Sequence, residues 1–362
     1  MLINVSTASP PYRVSQARAA EELKRRMGTR PAVARMIDAA ASHSGIAFRS
    51  VVLQDTEVDE PERFYPSTPD GPSPDTRVRM IKYKEWSQRL TAEAAGAVLA
   101  SSSCLPSEVS RLVTVSCTGF SAPNFDHHLI TTLGLPSNVQ RTHVGFMGCA
   151  AVLVGFTSAL EALESARERG GTVLLVAVEL CSLHLQTEPT RDNILANMIF
   201  ADGCGAALFS SSSKLKPRAR LVATHSYLFP DSTAFMGWEI GNHGFEMLLS
   251  SELPAIITQQ AVPMAREMLK KAGLNVTDVR HWALHPGGRA IIDALQTGLE
   301  LTDEQAEPSR TVLREHGNMS SASILYVLQE LFSFRKLHAG DWICAIAFGP
   351  GLTMELVLFQ SA

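Results

Sequence analysis

The chain has 362 residues, of which 45% are hydrophobic and 19% charged, and its formal net charge is −4. This is the composition of a globular protein with enough apolar material for one large domain or two smaller ones. The slightly acidic balance and the lack of a Lys/Arg block exclude a basic nucleic-acid surface. No apolar run of about 18 residues is free of charge, so we expect no membrane span. The N-terminus is too short and uncharged for a signal peptide, and we expect a cytoplasmic protein.

In the first half of the chain, hydrophobic periodicity predicts alternating strands and helices. The predicted strands cover residues 2–6, 111–116, 172–179 and 206–209, and the predicted helices cover 18–27, 32–41, 83–100 and 148–167. A proline-rich stretch at 60–74 is predicted to be loop, and 201–203 (ADG) a turn. The strand at 172–179 (TVLLVAVE) is apolar on both faces, which is typical of a sheet covered by helices on both sides.

The Ser-rich segment at 210–217 is the most linker-like part of the chain and divides it into residues 1–212 and 213–362. After it, the order of elements repeats. Strands are predicted at 219–225, 281–284, 342–347 and 353–358, and helices at 252–272, 289–299 and 320–332. Two similar halves, each with a central small-residue helix, predict an α/β fold with duplicated αβαβα layers.

The six cysteines do not suggest a metal or disulfide framework. They stand at positions 104, 117, 149, 181, 204 and 344. None forms a C-x-x-C pair, and the His spacing does not suggest zinc. We therefore expect free thiols in a reducing compartment and no metal site.

Cys149 is the cysteine with the strongest functional signal, because it opens an apolar run that carries no charge before Glu161. The first N–H groups of a helix are unpaired and carry partial positive charge. A thiol at that position is expected to have a lowered pKa and to act as a nucleophile. The alternative is a small core residue, since free Cys is among the most buried residue types.

Two further polar residues stand beside apolar segments. His285 follows a strand and precedes Gly287 and Gly288, which permit close approach of a ligand. Asn318 directly precedes an apolar helix. Alone, His285 could be a structural histidine at a turn and Asn318 a helix N-cap. Together with a thiol, they are a more specific combination, because they supply a base or cation and donors for an oxyanion.

In several unlinked motifs the chain resembles the type III polyketide synthases, the chalcone-synthase-like branch of the thiolase superfamily. Residues 145–151 (GFMGCAA) resemble the family's nucleophile segment, 282–288 (WALHPGG) its histidine segment and 317–321 (GNMSS) its asparagine segment. Residues 348–353 (FGPGLT) resemble its C-terminal loop, and 7–16 its N-terminal strand and turn. Order and spacing agree over essentially the whole chain. The pairing of GNMSS with FGPGLT favours this branch over the ketoacyl synthases of fatty-acid synthesis.

The resemblance implies a thiolase-type homodimer that uses acyl-CoA and malonyl-CoA and needs no metal or redox cofactor. Cys149 would accept the starter acyl group, with His285 as an imidazolium that stabilises its thiolate. His285 and Asn318 would hold the malonyl thioester oxygen during decarboxylation. A single-condensation ketosynthase resembling ketoacyl synthase III, and a non-catalytic acyl-binding scaffold, remain alternatives.

The resemblance also implies a set of cavity and CoA residues. Phe200 and Met247 correspond to the two gatekeepers of the family, although Phe200 alone would read as core. Further substrate-binding positions are Cys117, Cys181, His184, Trp238, Ser320, Gly349 and Pro350. The CoA site is expected at Arg49, Gly287, Gly288 and Arg289. Departures from the plant pattern resemble bacterial members, and they leave the starter, the number of extensions and the cyclisation open.

Overall fold

The computed structural model describes residues 1–28, 30–60, 62–68, 71–165 and 171–362, and within these ranges the chain forms strands, α-helices and short 3₁₀ turns. The strands are β1 (Leu2–Ala8), β2 (Tyr12–Ser15), β3 (Phe48–Val51), β4 (Arg111–Ser116), β5 (Gln140–Gly145), β6 (Thr172–Leu180), β7 (Asp202–Ser210), β8 (Ala219–Leu228), β9 (Met236–Gly241), β10 (Gly244–Leu249), β11 (Val279–Leu284), β12 (Trp342–Gly349) and β13 (Thr353–Ser361). The α-helices are α1 (Gln16–Met27), α2 (Pro31–His43), α3 (Thr76–Ser101), α4 (Phe125–Leu133), α5 (Ala151–Ser165), α6 (Arg191–Ile199), α7 (Leu253–Ile256), α8 (Val262–Lys271), α9 (Arg289–Leu299), α10 (Asp303–His316) and α11 (Ser323–Phe334).

Nine strands are hydrogen-bonded side by side in the order β11-β12-β13-β8-β1-β7-β6-β4-β5. This order has two halves, called the two sheets below, that repeat each other's strand directions. In the order β4-β6-β7-β1, the first pairing is parallel and the next two are antiparallel, with β5 added in parallel beside β4. The order β11-β12-β13-β8 shows the same sequence of one parallel and two antiparallel pairings. The sheets meet edge to edge at one residue pair, Leu2 and Ala219. The predicted duplication is therefore confirmed at the level of strand order and direction.

The layers follow from which helices cover which sheet face. The small-residue helices α5 and α11 lie between the sheets and share one apolar core with the inner faces of both. Helices α3 and α4 cover the outer face of the first sheet, and α8, α9 and α10 cover that of the second. The five-layered αβαβα fold predicted from the doubly apolar strands is confirmed. The division at residue 212 stays a prediction; it falls in the connection between β7 and β8.

One stretch of the described residues, Gly148–Ser165, is long and apolar enough to cross a membrane by composition, with a mean hydropathy of 1.2. Of this stretch, 56% is buried inside the protein. It comprises α5 and the turn before it, in the layer between the two sheets. Its apolar character therefore belongs to the protein core.

Most predicted elements are present, but one turn is wrong. The predicted turn at 201–203 contains the start of β7, because Asp202 and Gly203 are already part of the strand. Gly203 serves close packing: a Cβ there would lie 2.4 Å from Sδ of Met319. Residues 252–272 form nearly continuous helix, α7 and α8 joined by a π-helical turn at Ile257–Ala261. The predicted end of the helix at Arg167, and Pro61 and Pro69 of the predicted loop, lie outside the described residues.

Candidate active site

The connection from β5 to α5 is a tight turn that presents Cys149. Phe146 and Gly148 have positive φ angles of 56° and 60°, and a 3₁₀ turn at Gly148–Ala150 precedes α5. A Cβ on Gly148 would lie 2.3 Å from Cδ of Pro350, so only glycine fits at this left-handed position. The motifs at 145–151 and 348–353, far apart in sequence, are therefore packed against each other.

The Cys149 thiol is buried, with 8% exposure, and its Sγ lies 3.6 Å from Oγ of Ser320. Burial raises its pKa to about 12, and the hydrogen bond that the thiol donates to Oγ of Ser320 offsets this only in part. The prediction that the helix start lowers the pKa of Cys149 is therefore wrong. The free-energy cost of removing a thiolate from water exceeds the stabilisation that one turn of helix and a neutral hydroxyl provide.

His285 is held by its backbone and leaves its ring free. Its N–H donates to the carbonyl of Ile346 at 2.8 Å, which fixes the residue just beyond the end of β11. Both ring nitrogens are buried and have no hydrogen-bond partner among the described residues. Burial lowers the pKa of the imidazole to about 3. The interpretation as a hydrogen-bonded structural histidine does not fit, because a neutral imidazole is available to a ligand on both nitrogens.

Asn318 combines the two interpretations of its sequence position. Its Oδ1 accepts hydrogen bonds from the Ser320 N–H at 2.8 Å and from Oγ of Ser323 at 3.4 Å, so it caps the turn before α11. Its Nδ2 donates to the carbonyl of Gly287 at 3.2 Å. These contacts fix the amide orientation, and a side-chain hydrogen bond with Asn318 lowers the pKa of Cys149 in part.

Cys149, His285 and Asn318 line one channel with a volume of about 510 Å³. Its walls come mostly from apolar side chains of α2, α6 and the α7 region, where sequence reasoning identified no site residues. These wall residues are Met36, Ala39, Ala40, Ile194, Leu195, Leu253, Pro254 and Ile257. The predicted residues Gly287, Gly288 and Arg289 also line the channel. A largely apolar passage with a few convergent polar groups is the usual form of a small-molecule site.

Beyond Cys149 lies a small inner cavity of about 30 Å³. Its lining includes Cys117, Cys149, Cys181, Phe200, Trp238, Met247, Ser320 and Pro350. Phe200 and Met247 line both this cavity and the channel, so they stand at the passage between them. The indole N–H of Trp238 donates to the carbonyl of Cys117 at 2.8 Å, which fixes the ring at the cavity wall.

Two of the predicted substrate-binding residues, His184 and Gly349, mainly contact other parts of the protein. His184 Nδ1 accepts from the Phe245 N–H at 2.9 Å, so the ring proton is on Nε2, which donates to the Thr118 carbonyl at 2.7 Å. Its ring stacks on Phe245, and it lines a separate cavity of about 20 Å³. Both nitrogens are thus bound to backbone. A Cβ on Gly349 would lie 2.6 Å from the carbonyl oxygen of Met147, so this glycine packs against the nucleophile turn.

Glu179 is a buried carboxyl at the site that sequence reasoning missed. It accepts hydrogen bonds from the Cys117 N–H at 3.0 Å, from Oγ1 of Thr118 at 2.8 Å and from Oγ of Ser321. Burial raises its pKa to about 7, and its charge raises the pKa of Cys149. The signal was a single carboxylate at the end of an otherwise apolar strand.

Arg49 does not reach the channel. The side chain is buried, with the residue 6% exposed, and its Nη1 donates to the carbonyls of Asn197 at 2.5 Å and Phe200 at 2.8 Å. The prediction that Arg49 meets the CoA phosphates is wrong, because its guanidinium is used inside the protein. Arg289 instead lines both the channel and an adjoining pocket of about 250 Å³ that also contains Arg310 and Arg314.

The described residues hold no cluster of three or more His, Cys, Asp or Glu side chains suited to a metal ion. All six cysteines are buried and unpaired. The chemistry available at this site is therefore that of a thiol, an imidazole, a carboxamide and a carboxyl. The expectation that no metal takes part stays a prediction.

Comparisons with known proteins agree over both halves of the chain. Residues 220–362 match the family model of the C-terminal domain of chalcone and stilbene synthases, and residues 18–227 match that of FAE1/type III polyketide synthase-like proteins. The 1,3,6,8-tetrahydroxynaphthalene synthase of Streptomyces peucetius subsp. caesius is 31% identical over 274 residues, which are 75% of this chain and 72% of that protein. Polyketide synthase 37 of Dictyostelium discoideum is 34% identical over 79% of this chain, which spans 10% of that protein's length. The crystal structure of PKS-I from the brown alga Ectocarpus siliculosus superposes with a TM-score of 0.91 at 30% identity, covering 100% of this chain and 98% of that one.

Proposed function

The chain belongs to the chalcone and stilbene synthase family of type III polyketide synthases, and on that premise we propose that it condenses an acyl-CoA starter repeatedly with malonyl-CoA. The observation that carries the proposal is the shared channel of Cys149, His285 and Asn318, in which neither His285 ring nitrogen has a hydrogen-bond partner from the described part of the chain. A thiol can hold the growing chain as a thioester, and the two other groups can hold a thioester oxygen.

The first step transfers the starter to Cys149. Because burial penalises the thiolate and the imidazolium when each is alone, we propose that both groups are neutral at rest. This proposal differs from the imidazolium that the family resemblance implies. As Sγ attacks the thioester carbonyl, His285 takes the thiol proton. The carbon–sulfur bond to CoA then breaks, and the leaving thiolate of CoA takes the proton from His285.

The second step generates the carbon nucleophile. The thioester oxygen of malonyl-CoA would accept hydrogen bonds from the His285 ring N–H and from Nδ2 of Asn318. The bond to the carboxylate breaks, carbon dioxide leaves, and the electron pair forms an enolate whose charge these donors stabilise. Losing one such donor typically costs about 10²–10³ in rate. The enolate carbon attacks the carbonyl of the Cys149 thioester, and the bond to Sγ of Cys149 breaks. The extended chain is then a CoA thioester, and it is transferred back to Cys149 in the next cycle.

We propose that the chain grows past Phe200 and Met247 and cyclises to a pyrone or a phenolic product. The inner cavity beyond these residues is small and is closed partly by Trp238. A small inner cavity favours products of few extensions over products of many, because every added acetyl unit needs space that side chains fill. Cys117, Cys181 and Ser320 would contact the chain there.

We propose that the phosphates of CoA bind in the three-arginine pocket formed by Arg289, Arg310 and Arg314 beside the channel. Each guanidinium also contacts a carboxylate, namely Asp293 or Glu307. Guanidinium groups suit phosphate oxygens because their N–H groups form a planar fork. Gly287 and Gly288, where the chain enters α9, would border the pantetheine arm.

We propose a cytoplasmic homodimer. Phe120, Phe146 and Met147 are large apolar residues with 48%, 40% and 39% exposure, close in sequence or space to the nucleophile turn. An exposed apolar group of this kind is typical of an interface. A second copy of the chain would cover it, and size-exclusion chromatography with light scattering tests this directly, because a monomeric mass contradicts the homodimer.

A panel of acyl-CoA starters with labelled malonyl-CoA tests the proposed reaction. We expect products of two or more extensions, and an acyl adduct on the intact protein that is absent in Cys149→Ala. An adduct that persists in Cys149→Ala shows that the nucleophile is assigned wrongly. A product containing one extension supports a single-condensation ketosynthase. Failure to release carbon dioxide with any starter supports an acyl-binding scaffold.

A further inference from the structure

Arg49 is a buried cation without an ion pair among the described residues. It lies on β3 with 6% exposure, and its Nε has no hydrogen-bond partner in the part of the chain that the structure describes. Asp202 acts on it through charge alone, since the oxygens of that carboxyl accept from the Val52 N–H and from the N–H and Oγ of Ser182. Burying a cation without a paired carboxylate is unfavourable, and the hydrogen bonds of Arg49 to backbone carbonyls offset part of that cost.

What Arg49 holds is the C-terminal end of α6. Its Nη1 donates to the carbonyls of Asn197 and Phe200, at 2.5 and 2.8 Å. The last carbonyls of a helix lack intrahelical partners and carry partial negative charge, so a guanidinium is well suited to them. Hydrogen bonds from a charged donor are also stronger and shorter than neutral ones. The backbone of the gatekeeper Phe200 is thereby fixed from one side.

The same backbone segment is bridged to Asn318 on its other side. The Asn318 N–H donates to the carbonyl of Ile199 at 3.0 Å, and the Ala201 N–H donates to the carbonyl of Asn318 at 2.8 Å. Arg49 also contacts the residue before Asn318 directly. Gly317 has a φ of +72°, and a Cβ there would lie 2.9 Å from Cγ of Arg49.

Arg49 therefore contacts both backbone segments of the β-bridge between Phe200 and Asn318, at Phe200 and at Gly317. We propose that Arg49 is a positioning residue that holds the Asn318 carboxamide where its Nδ2 can donate a hydrogen bond to the thioester oxygen of malonyl-CoA. This inference rests on the proposed function and adds a residue to it. Cys149 and His285 lie on other elements, the β5–α5 turn and the end of β11, and have no contact with Arg49 among those described.

The proposal separates two half-reactions. Acylation of Cys149 needs the thiol and His285, whereas decarboxylation of malonyl-CoA also needs Asn318. In Arg49→Met, we expect release of carbon dioxide from labelled malonyl-CoA to fall by about tenfold to a hundredfold, since a displacement of about 1 Å has effects of this size. Acylation of Cys149 by a starter acyl-CoA, followed by intact mass, should stay within about threefold of the wild type.

Arg49→Lys provides the second variant if Arg49→Met does not fold. Lysine keeps a buried cation and its donors but not the planar fork, so we expect its ratio of decarboxylation to acylation to lie between those of Arg49→Met and the wild type. Arg26→Met is the matched control. Arg26 is 5% exposed, and its Nε also has no hydrogen-bond partner within the described ranges. It lines the same neighbouring pocket as Arg49 but pairs with Asp55. It should leave the ratio unchanged.

The outcomes distinguish the inference from the function on which it rests. A wild type with neither acylation nor decarboxylation overturns the proposed function. If the wild type carries out both reactions, the positioning role is overturned by Arg49 variants that lose acylation and decarboxylation by the same factor and also have a lower melting temperature. Arg49 variants with an unchanged ratio overturn it as well, and so does an Arg26→Met variant that lowers the ratio as much as Arg49→Met.

Discussion

Glu179→Gln tests whether the buried carboxyl beside the nucleophile lowers the free energy of unfolding at neutral pH. Burial raises the pKa of Glu179 from an ordinary value of 4.5 to about 7. The folded state therefore holds a proton that the unfolded state has lost between these two pH values. Stability consequently falls as pH rises through this window, and the loss is complete above about pH 7. The difference between the two pKa values corresponds to about 3 kcal/mol at 1.36 kcal/mol per pH unit.

The amide of Gln carries no charge at any pH in this range, so the variant should lack this loss. Chemical denaturation at about pH 5 and about pH 8, at one protein concentration, gives the free energy of unfolding of both proteins. We expect the difference between variant and wild type to move by about 2–3 kcal/mol in favour of the variant from the lower to the higher pH. A difference that does not change with pH, or changes in the opposite direction, refutes the reasoning.

The same variant has a chemical readout at Cys149. The charge of Glu179 raises the pKa of that thiol, so its removal should let Cys149 react with iodoacetamide at lower pH. Glu355→Gln is the matched control. Glu355 is also buried with a raised pKa, but it accepts from Oγ of Ser226 at the pairing of β8 with β13. It should leave the alkylation profile of Cys149 unchanged.

Three further predictions concern the channel, the cavity and the nucleophile turn. Trp238→Ala removes the indole from the inner cavity wall, so we expect product mass spectra to shift towards more extensions, with a loss of stability of up to about 3 kcal/mol; an unchanged product distribution contradicts the cavity argument. Arg310→Gln should raise the KM for malonyl-CoA about fivefold, equivalent to about 1 kcal/mol, and leave the KM for a malonyl-pantetheine thioester unchanged. Arg266→Gln, which removes an arginine paired with Glu300 outside the pocket, is its control, and an equal rise in KM there points to net charge instead. Gly148→Ala places a Cβ at a left-handed position against Pro350, so we expect a lower melting temperature and loss of Cys149 acylation, and full activity would show that the turn is not tight.

The sequence predicted the fold class and the three central residues because their signals are local. A strand apolar on both faces needs cover on both sides, and two such patterns in the same order predict a duplicated layered fold. Cys149, His285 and Asn318 each stand at the junction of an apolar segment and a glycine-containing turn, which short motifs describe well. Sequence reasoning did not identify the hairpin of β9 and β10, or the helices α6 and α10. The amphipathic pattern of α6 is weak, and α10 contains Pro308, which argues against a helix in sequence.

What only the tertiary structure decided is the environment of each charge. Arg49 reads as a surface cation in sequence, but its guanidinium is buried beneath Phe200 because β3 lies against the end of α6. Likewise, the donors to Glu179 come from the end of β4 and from the turn before α11, segments about 200 residues apart in the chain. The pKa of Cys149 is raised because desolvation depends on everything packed around the thiol. Periodicity and motifs specify which residues come together, whereas the free energy of a charge depends on the solvent that packing removes, and no local pattern carries that information.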